Sequence, residues 1–206
     1  MRRRNRFAGV AAVFLVLSFS ASRAATWEFD TAHSAASFGV RHLMISNVRG
    51  EFHNVTGTVE WDEKDPASIK IDAAVDVATL DTREPKRDAH LKSPDFFDAE
   101  KFPKMTFRSK SATSAGANRY RIAGDLTIRG VTKEATLDVE VTPTIKDPWG
   151  NTKFGAVATA KINRQDFGVK WNKTLDGGGV VVGDEVTVTI DAELARKQDA
   201  PPAEKK

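Results

Sequence analysis

Val186, Val188, Ile190, Ala192 and Leu194 alternate with Thr187, Thr189, Asp191 and Glu193, and Ala135, Leu137, Val139 and Val141 alternate likewise with Thr136, Asp138 and Glu140. A two-residue repeat sends successive side chains to opposite faces, so each segment reads as a strand with one dry and one wet face. Weaker versions occupy Ala36-Phe38-Val40, Val48-Gly50-Phe52 continuing to Val59-Trp61, Ile69 to Val77, Met105-Phe107, Tyr120-Ile122-Leu126-Ile128 and Phe154 to Ile162, which brings the count to eight strands. Clusters of Gly, Pro, Asn and Asp separate several of them, at Glu63-Lys64-Asp65-Pro66, Ala115-Gly116-Ala117-Asn118, Arg129-Gly130, Asp147-Pro148-Trp149-Gly150 and Asp176-Gly177-Gly178-Gly179. Short connections make antiparallel neighbours.

One stretch breaks the pattern. Between Thr79 and Pro103 the segments Arg83 to Leu91 and Asp95 to Glu100 are charged and lack the alternation, so two short helices are expected there, as a lid on the sheet. Eight antiparallel strands either stack as two sheets or close into a barrel, and closure removes exposed edges. An eight-stranded barrel is just wide enough for side chains or one slender ligand. The expected inward positions Ala156, Ala158 and Ala160, with Gly50 and Gly124 elsewhere, are small and leave a hole unless large side chains such as Phe52 or Trp171 fill it. Pattern alone leaves both choices open.

The first 24 residues set the expected compartment. Arg2, Arg3, Arg4 and Arg6 precede an apolar run from Phe7 to Phe19, with Ser22 and Ala24 three and one residues before a cleavage point, the layout of a secretory signal peptide. The run is shorter than the roughly 20 residues that span a bilayer, and Asn5-Arg6 after Arg3-Arg4 departs from the twin-arginine pattern. The expectation is an exported, periplasmic chain beginning near Ala25. Residues 1–24 hold five arginines and no acid, so 31 bases against 28 acids become 26 against 28, a change in formal charge from +3 to −2. The mature chain therefore offers no net basic surplus for nucleic acid or for an anionic membrane. It has no cysteine, so burial alone must hold a single domain at 25–194. From Ala195 to Lys206, a charged segment containing Ala200-Pro201-Pro202-Ala203 reads as a disordered tail.

Reactive constellations are thin. His33, His42, His53 and His90 show no i, i+4 pair and have no Cys partner, so they read as structural rather than as metal ligands. Asp30, His33 and Ser34 sit close together in one extended segment, where residues point to alternating faces, and no Gly-x-Ser-x-Gly elbow occurs. The run from Arg83 to His90 is a solvated helix face, or a polar rim receiving a phosphate or other head group at a cavity mouth.

Ordered motifs run through the whole chain: Asp30-x-x-His33-Ser34, Phe38-Gly39-Val40-Arg41-His42-Leu43, Gly50-x-Phe52, Asp81-Thr82, Arg87-Asp88-Ala89-His90-Leu91-Lys92-Ser93-Pro94-Asp95-Phe96-Phe97 and Phe102-Pro103-Lys104-Met105-Thr106-Phe107-x-Ser109. They continue with Gly124-Asp125-Leu126-Thr127-Ile128-Arg129-Gly130-Val131-Thr132-Lys133, Trp149-Gly150, Asn163-Arg164-x-Asp166-Phe167-Gly168 and Val182-Gly183-Asp184-x-Val186. Together they resemble the YceI-like family of periplasmic lipid-binding proteins, from about Thr26 to Leu194. The resemblance implies an all-β, eight-stranded lipocalin-like barrel with a short helical insertion and a buried tunnel holding a polyisoprenoid or similar long-chain amphiphile, with neither catalysis nor a metal. Carried over residue by residue, it makes Phe38, Leu43, Phe52, Leu91, Phe96, Phe97, Phe107, Ile128, Phe167 and Trp171 candidates for tunnel or mouth contacts, and His42, Arg87, Asp88 and His90 candidates for the polar end. Ala158, a small inward position, is the residue whose enlargement should block the tunnel. The bound lipid is a prenyl phosphate, a quinone or an amide lipid on this reading. A quinone would tie the protein to a membrane electron-transfer partner, and a membrane donor or acceptor and a homodimer are the protein partners left open.

Overall fold

The computed structural model describes residues 24–197. The segment expected to be a signal peptide, before residue 24, and the expected tail after residue 197 lie outside the described residues. Eleven strands form one sheet: β1 (Ala25–Phe29), β2 (Ala35–His42), β3 (Ser46–Phe52), β4 (Val55–Asp62), β5 (Asp65–Asp76), β6 (Lys104–Gly116), β7 (Arg119–Ile128), β8 (Val131–Val141), β9 (Ile145–Lys146), β10 (Thr152–Asn163) and β11 (Val182–Arg196). β1 and β2 lie end to end against β11, at Leu194 to Arg196 and Val182 to Asp191, while β4 lies against β1 and β3 against β2. Each pair is thus one long strand broken once. Counted that way, with the two-residue β9 aside, eight strands run up and down in chain order and close where β11 meets both β10 and β1. The barrel of the sequence expectation is what forms, and the sandwich alternative is excluded.

The break between β1 and β2 explains a buried hydroxyl. Residues 30–34 bulge away from β11, and Ser34 Oγ accepts from Glu193 N at 3.1 Å and donates to Glu193 O at 3.4 Å, replacing a missing backbone partner. Ser34 is therefore engaged with a backbone 159 residues away, and His33 pairs with Asp30 at 3.0 Å instead.

The strand connections fall at two ends. One end carries the β4–β5 and β6–β7 turns and the β8–β10 loop. Four aromatics plug it: Trp27 meets Phe154 edge-on with ring centroids 4.7 Å apart, and Trp61 meets Phe154 at 5.2 Å and Tyr120 at 5.8 Å. The other end carries the β2–β3 hairpin, the insertion between β5 and β6, the Arg129-Gly130 turn and the β10–β11 connection. One sequence expectation needs correction in this region. One helix forms there, α1 (Pro85–Lys92), with Pro85 in its first turn and the Glu84 side chain accepting from Lys86 N at 3.1 Å. The second expected helix, Asp95 to Glu100, is a chain of turns. Phe97 N donates to Leu91 O and Ala99 N to Lys92 O, folding the segment back onto α1, and adjacent Phe96 and Phe97 both reach the cavity wall. At the C-terminus, Ala195 and Arg196 belong to β11 rather than to the tail, because Glu28 and Trp27 of β1 pair with them.

Candidate functional site

The inward faces of the strands enclose a cavity of about 250 Å³ between the aromatic plug and the insertion. Its wall is aliphatic and aromatic apart from Ser37, Thr106, Arg164 and the polar atoms of Trp61 and Tyr120. Alternation builds it. Phe38, Val40, Val186, Val188 and Ile190 face in from β2 and β11, and Phe154, Ala156 and Ala158 from β10, while their neighbours Thr187, Thr189 and Thr159 stay outside.

The origin of the hollow differs in part from the expectation. Ala156 and Ala158 do line it. Gly50 and Gly124 leave no hole, because aromatic rings already occupy their missing side chains' space. A Cβ on Gly50 falls 2.7 Å from the Phe38 ring, and one on Gly124 falls 2.7 Å from the Phe107 ring. These glycines let two phenyl groups lie flat on the sheet, and those rings become lining.

Of the residues singled out from the sequence, Phe38, Phe52, Leu91, Phe96, Phe97, Phe107, Ile128, Ala158 and Phe167 come together on the cavity wall. Leu91, Phe96 and Phe97 reach it from the insertion, which thereby roofs the open end. Trp171 stands behind this roof, its ring 5.2 Å from both Phe96 and His90. His90 Nε2 lies 2.9 Å from an Asp95 carboxylate oxygen, which ties α1 to the following turns. His42 and Leu43 end β2 at the mouth, off the wall. Arg87 and Asp88 also lie off the wall and grip Thr82: Arg87 donates to Thr82 Oγ1 at 2.8 Å and to Thr82 O at 2.7 Å, and Asp88 accepts from Thr82 N at 2.9 Å and from its hydroxyl. Their polar groups hold the insertion to the chain leading into it.

Arg164 was singled out by sequence only as part of a motif, yet it is the one ionic side chain on the wall and is 6% exposed. All five of its N–H groups donate: Nε to Gly183 O at 2.8 Å, Nη1 to Val169 O and Trp171 O at 2.7 and 2.9 Å, and Nη2 to Val182 O and Asp184 Oδ1 at 3.2 and 3.1 Å. Burial lowers its pKa and Asp184 opposes that shift. Its spacing carries no sign of burial, since the carbonyls it satisfies come from a connection that only tertiary folding brings near.

A second polar cluster lies at the plugged end. Lys153 Nζ sits 2.6 Å from Glu193, 3.1 Å from Asp30 and 3.9 Å from Asp147. Asp30, His33 and Glu193 place one ligand atom each within 4.8 Å of one another, but Lys153 ion-pairs with both carboxylates of the group and supplies the positive charge there. Asp30 is held down at about 2, first by the His33 hydrogen bond, against burial, and then by Lys153.

Fold and cavity together define a lipocalin-like antiparallel barrel whose interior is shaped to enclose an apolar guest. The chain belongs to the YceI-like domain family, whose model matches residues 27–194. It is 39% identical over 168 residues to a UPF0312 protein of Staphylococcus aureus (strain N315), covering 81% of this chain and 95% of that protein. Burkholderia cenocepacia BcnA has a similar structure, with a TM-score of 0.70 and 25% identity over 80% of this chain and 98% of that one. A polyisoprenoid binding domain from Saccharophagus degradans, described as implicated in plant cell wall breakdown, shares the fold at a TM-score of 0.59 and 13% identity, covering 83% of this chain and 98% of that one.

Proposed function

We propose that this protein is an exported lipid carrier that holds one long apolar chain, of polyisoprenoid type, inside the barrel. The cavity carries the reading: its wall is almost wholly apolar, and it is plugged at one end by Trp27, Trp61, Tyr120 and Phe154 and roofed at the other by Leu91, Phe96 and Phe97. A volume of about 250 Å³ falls below the roughly 300–1,000 Å³ of pockets for drug-sized ligands, which suits a guest of limited bulk. The polyisoprenoid-binding neighbour shares the architecture and points the same way. The role is binding rather than catalysis, because the wall's one ionic group is fully engaged in holding backbone.

The tail dominates affinity on this reading. Each buried methylene contributes about 0.8 kcal/mol, so a few isoprene units outweigh an exposed charge pair at about 0–1 kcal/mol. Native mass spectrometry of protein purified from its host, with organic extraction to identify the guest, tests the proposal and separates a prenyl phosphate from a quinone or an amide lipid. Ala158→Phe, which fills the middle of the cavity, is expected to lose the bound mass, whereas Arg87→Ala only lowers its occupancy. An Ala158→Phe protein that keeps its full lipid complement defeats the proposal.

A further inference from the structure

The tip of the β2–β3 hairpin projects at the mouth end and is built against ordinary turn chemistry. Leu43 and Met44 have consecutive positive φ angles of 50° and 61°, a combination that type I′ turns require and that Asn and Gly normally supply. Ile45 N closes the turn onto His42 O at 3.1 Å, and the Arg41 guanidinium clamps it by donating twice to Met44 O, at 3.2 and 3.1 Å. The side chains so displayed are largely bare: Met44 is 52% exposed, with its Cγ beside the Gly179 backbone, and Ile45 is 77% exposed. A strained, braced turn that holds two bare apolar side chains in water needs a partner.

Position and charge identify it. Val40 and Val182, beside the tip, line the cavity, so the apolar surface runs from the barrel interior to the hairpin. Leu43 N donates to Val181 O and Val181 N to Lys173 O, which brings a basic side chain to the same edge. On the barrel wall, cations pair across strands, as in Arg108–Asp72, Arg119–Glu140, Arg121–Asp138 and Lys161–Glu185. Around the tip, Arg41, Arg49 and Lys173 have no carboxylate within ion-pair distance among the described residues, and Arg41 turns to Met44 O and Asn47 instead. Exposed apolar residues ringed by unpaired cations match an anionic lipid surface, with the apolar groups entering the head-group layer and the cations meeting phosphates.

We infer that the barrel docks mouth-first on an anionic bilayer through Leu43, Met44 and Ile45, with Arg41, Arg49 and Lys173 as the electrostatic collar. The inference rests on the lipid-carrier reading for its purpose, since docking brings the roofed end of the cavity to the source of its guest.

Co-sedimentation with phosphatidylcholine vesicles, with and without phosphatidylglycerol, tests it. The purified protein should bind the anionic vesicles, and its binding should fall as salt rises. Met44→Asn/Ile45→Ser, which suits the left-handed backbone and leaves the cavity wall untouched, should weaken vesicle binding at least tenfold with its lipid content unchanged. Trp149→Ser/Ile145→Ser, which removes exposed apolar groups at the plugged end, should bind as the parent does. Docking is overturned if the parent ignores vesicles, if the hairpin variant binds normally, if the Trp149 variant is the one that fails, or if the hairpin change alters only the oligomeric state by size exclusion. Vesicle binding by a protein whose cavity carries no lipid in native mass spectrometry would support docking and count against the carrier reading alone.

Discussion

The ring of Phe38 lies across the backbone of its cross-strand partner Gly50, occupying the place a side chain there would take. Phe107 lies near Gly124 in a comparable way, but there the backbone itself is also close, with Arg108 O 2.3 Å from where a Cβ would stand. The two glycines should therefore answer differently to a single methyl group. Gly50→Ala meets only side chains, the Thr82 methyl at 2.6 Å and the Phe38 ring at 2.7 Å; the ring can swing into the cavity but Thr82 is held by Arg87 and Asp88, so the variant should lose about 2 kcal/mol of stability and part of its lipid complement. Gly124→Ala must move a strand and should destabilise by about 3 kcal/mol. Thermal unfolding and native mass spectrometry of the two variants check the contrast.

Arg164 holds four backbone carbonyls of the β10–β11 connection and β11 at the mouth. Arg164→Met removes every donor and leaves those carbonyls and Asp184 without this partner, a change of about 3–5 kcal/mol when a buried ionic group is lost. At roughly 2–4 °C per kcal/mol for a chain of this size, the midpoint should fall by about 10 °C. Limited proteolysis should then cut first in the Asp176 to Gly179 loop.

Thr82 is buried and links Arg87, Asp88 and the chain entering the insertion. Thr82→Val keeps the shape and removes the hydroxyl, for about 2 kcal/mol. Because the bonds are confined to the roof, hydrogen exchange should quicken over residues 83–100 while the barrel strands stay protected.

Asp30 has a folded pKa of about 2, below its ordinary value of about 3.9. A depressed carboxylate stabilises the fold fully above the unfolded value, and that contribution is lost as pH falls through the folded value. Stability should therefore decline between pH 4 and pH 2 in the parent. Asp30→Asn should flatten that window and weaken the protein at neutral pH by on the order of 1 kcal/mol, once solvent screening of this partly exposed group is allowed for. Urea midpoints across that pH range provide the measurement.

Alternation in β8 and β11, turn clusters between strands and ordered motifs were enough to read eight antiparallel strands and a family resemblance from the amino-acid order, because a two-residue period is a local property of the chain. The alternation named Ala158 and the family resemblance named Phe52 and Phe107, and all three reach the cavity wall. The local view could not decide whether Gly50 and Gly124 were gaps, since the rings that cover them belong in each case to the neighbouring strand. It also took the turns at Asp95 to Glu100 for a helix, because the carbonyls that fold the segment back, those of Leu91 and Lys92, lie outside it at the end of α1. Whether an alanine or a glycine opens a space depends on what stands opposite, and a buried guanidinium depends on carbonyls from distant loops. Closure of the barrel, the plug of Trp27, Trp61, Tyr120 and Phe154, and the hollow left beneath the roof were therefore decided by tertiary packing, where side chains far apart in sequence compete for one volume.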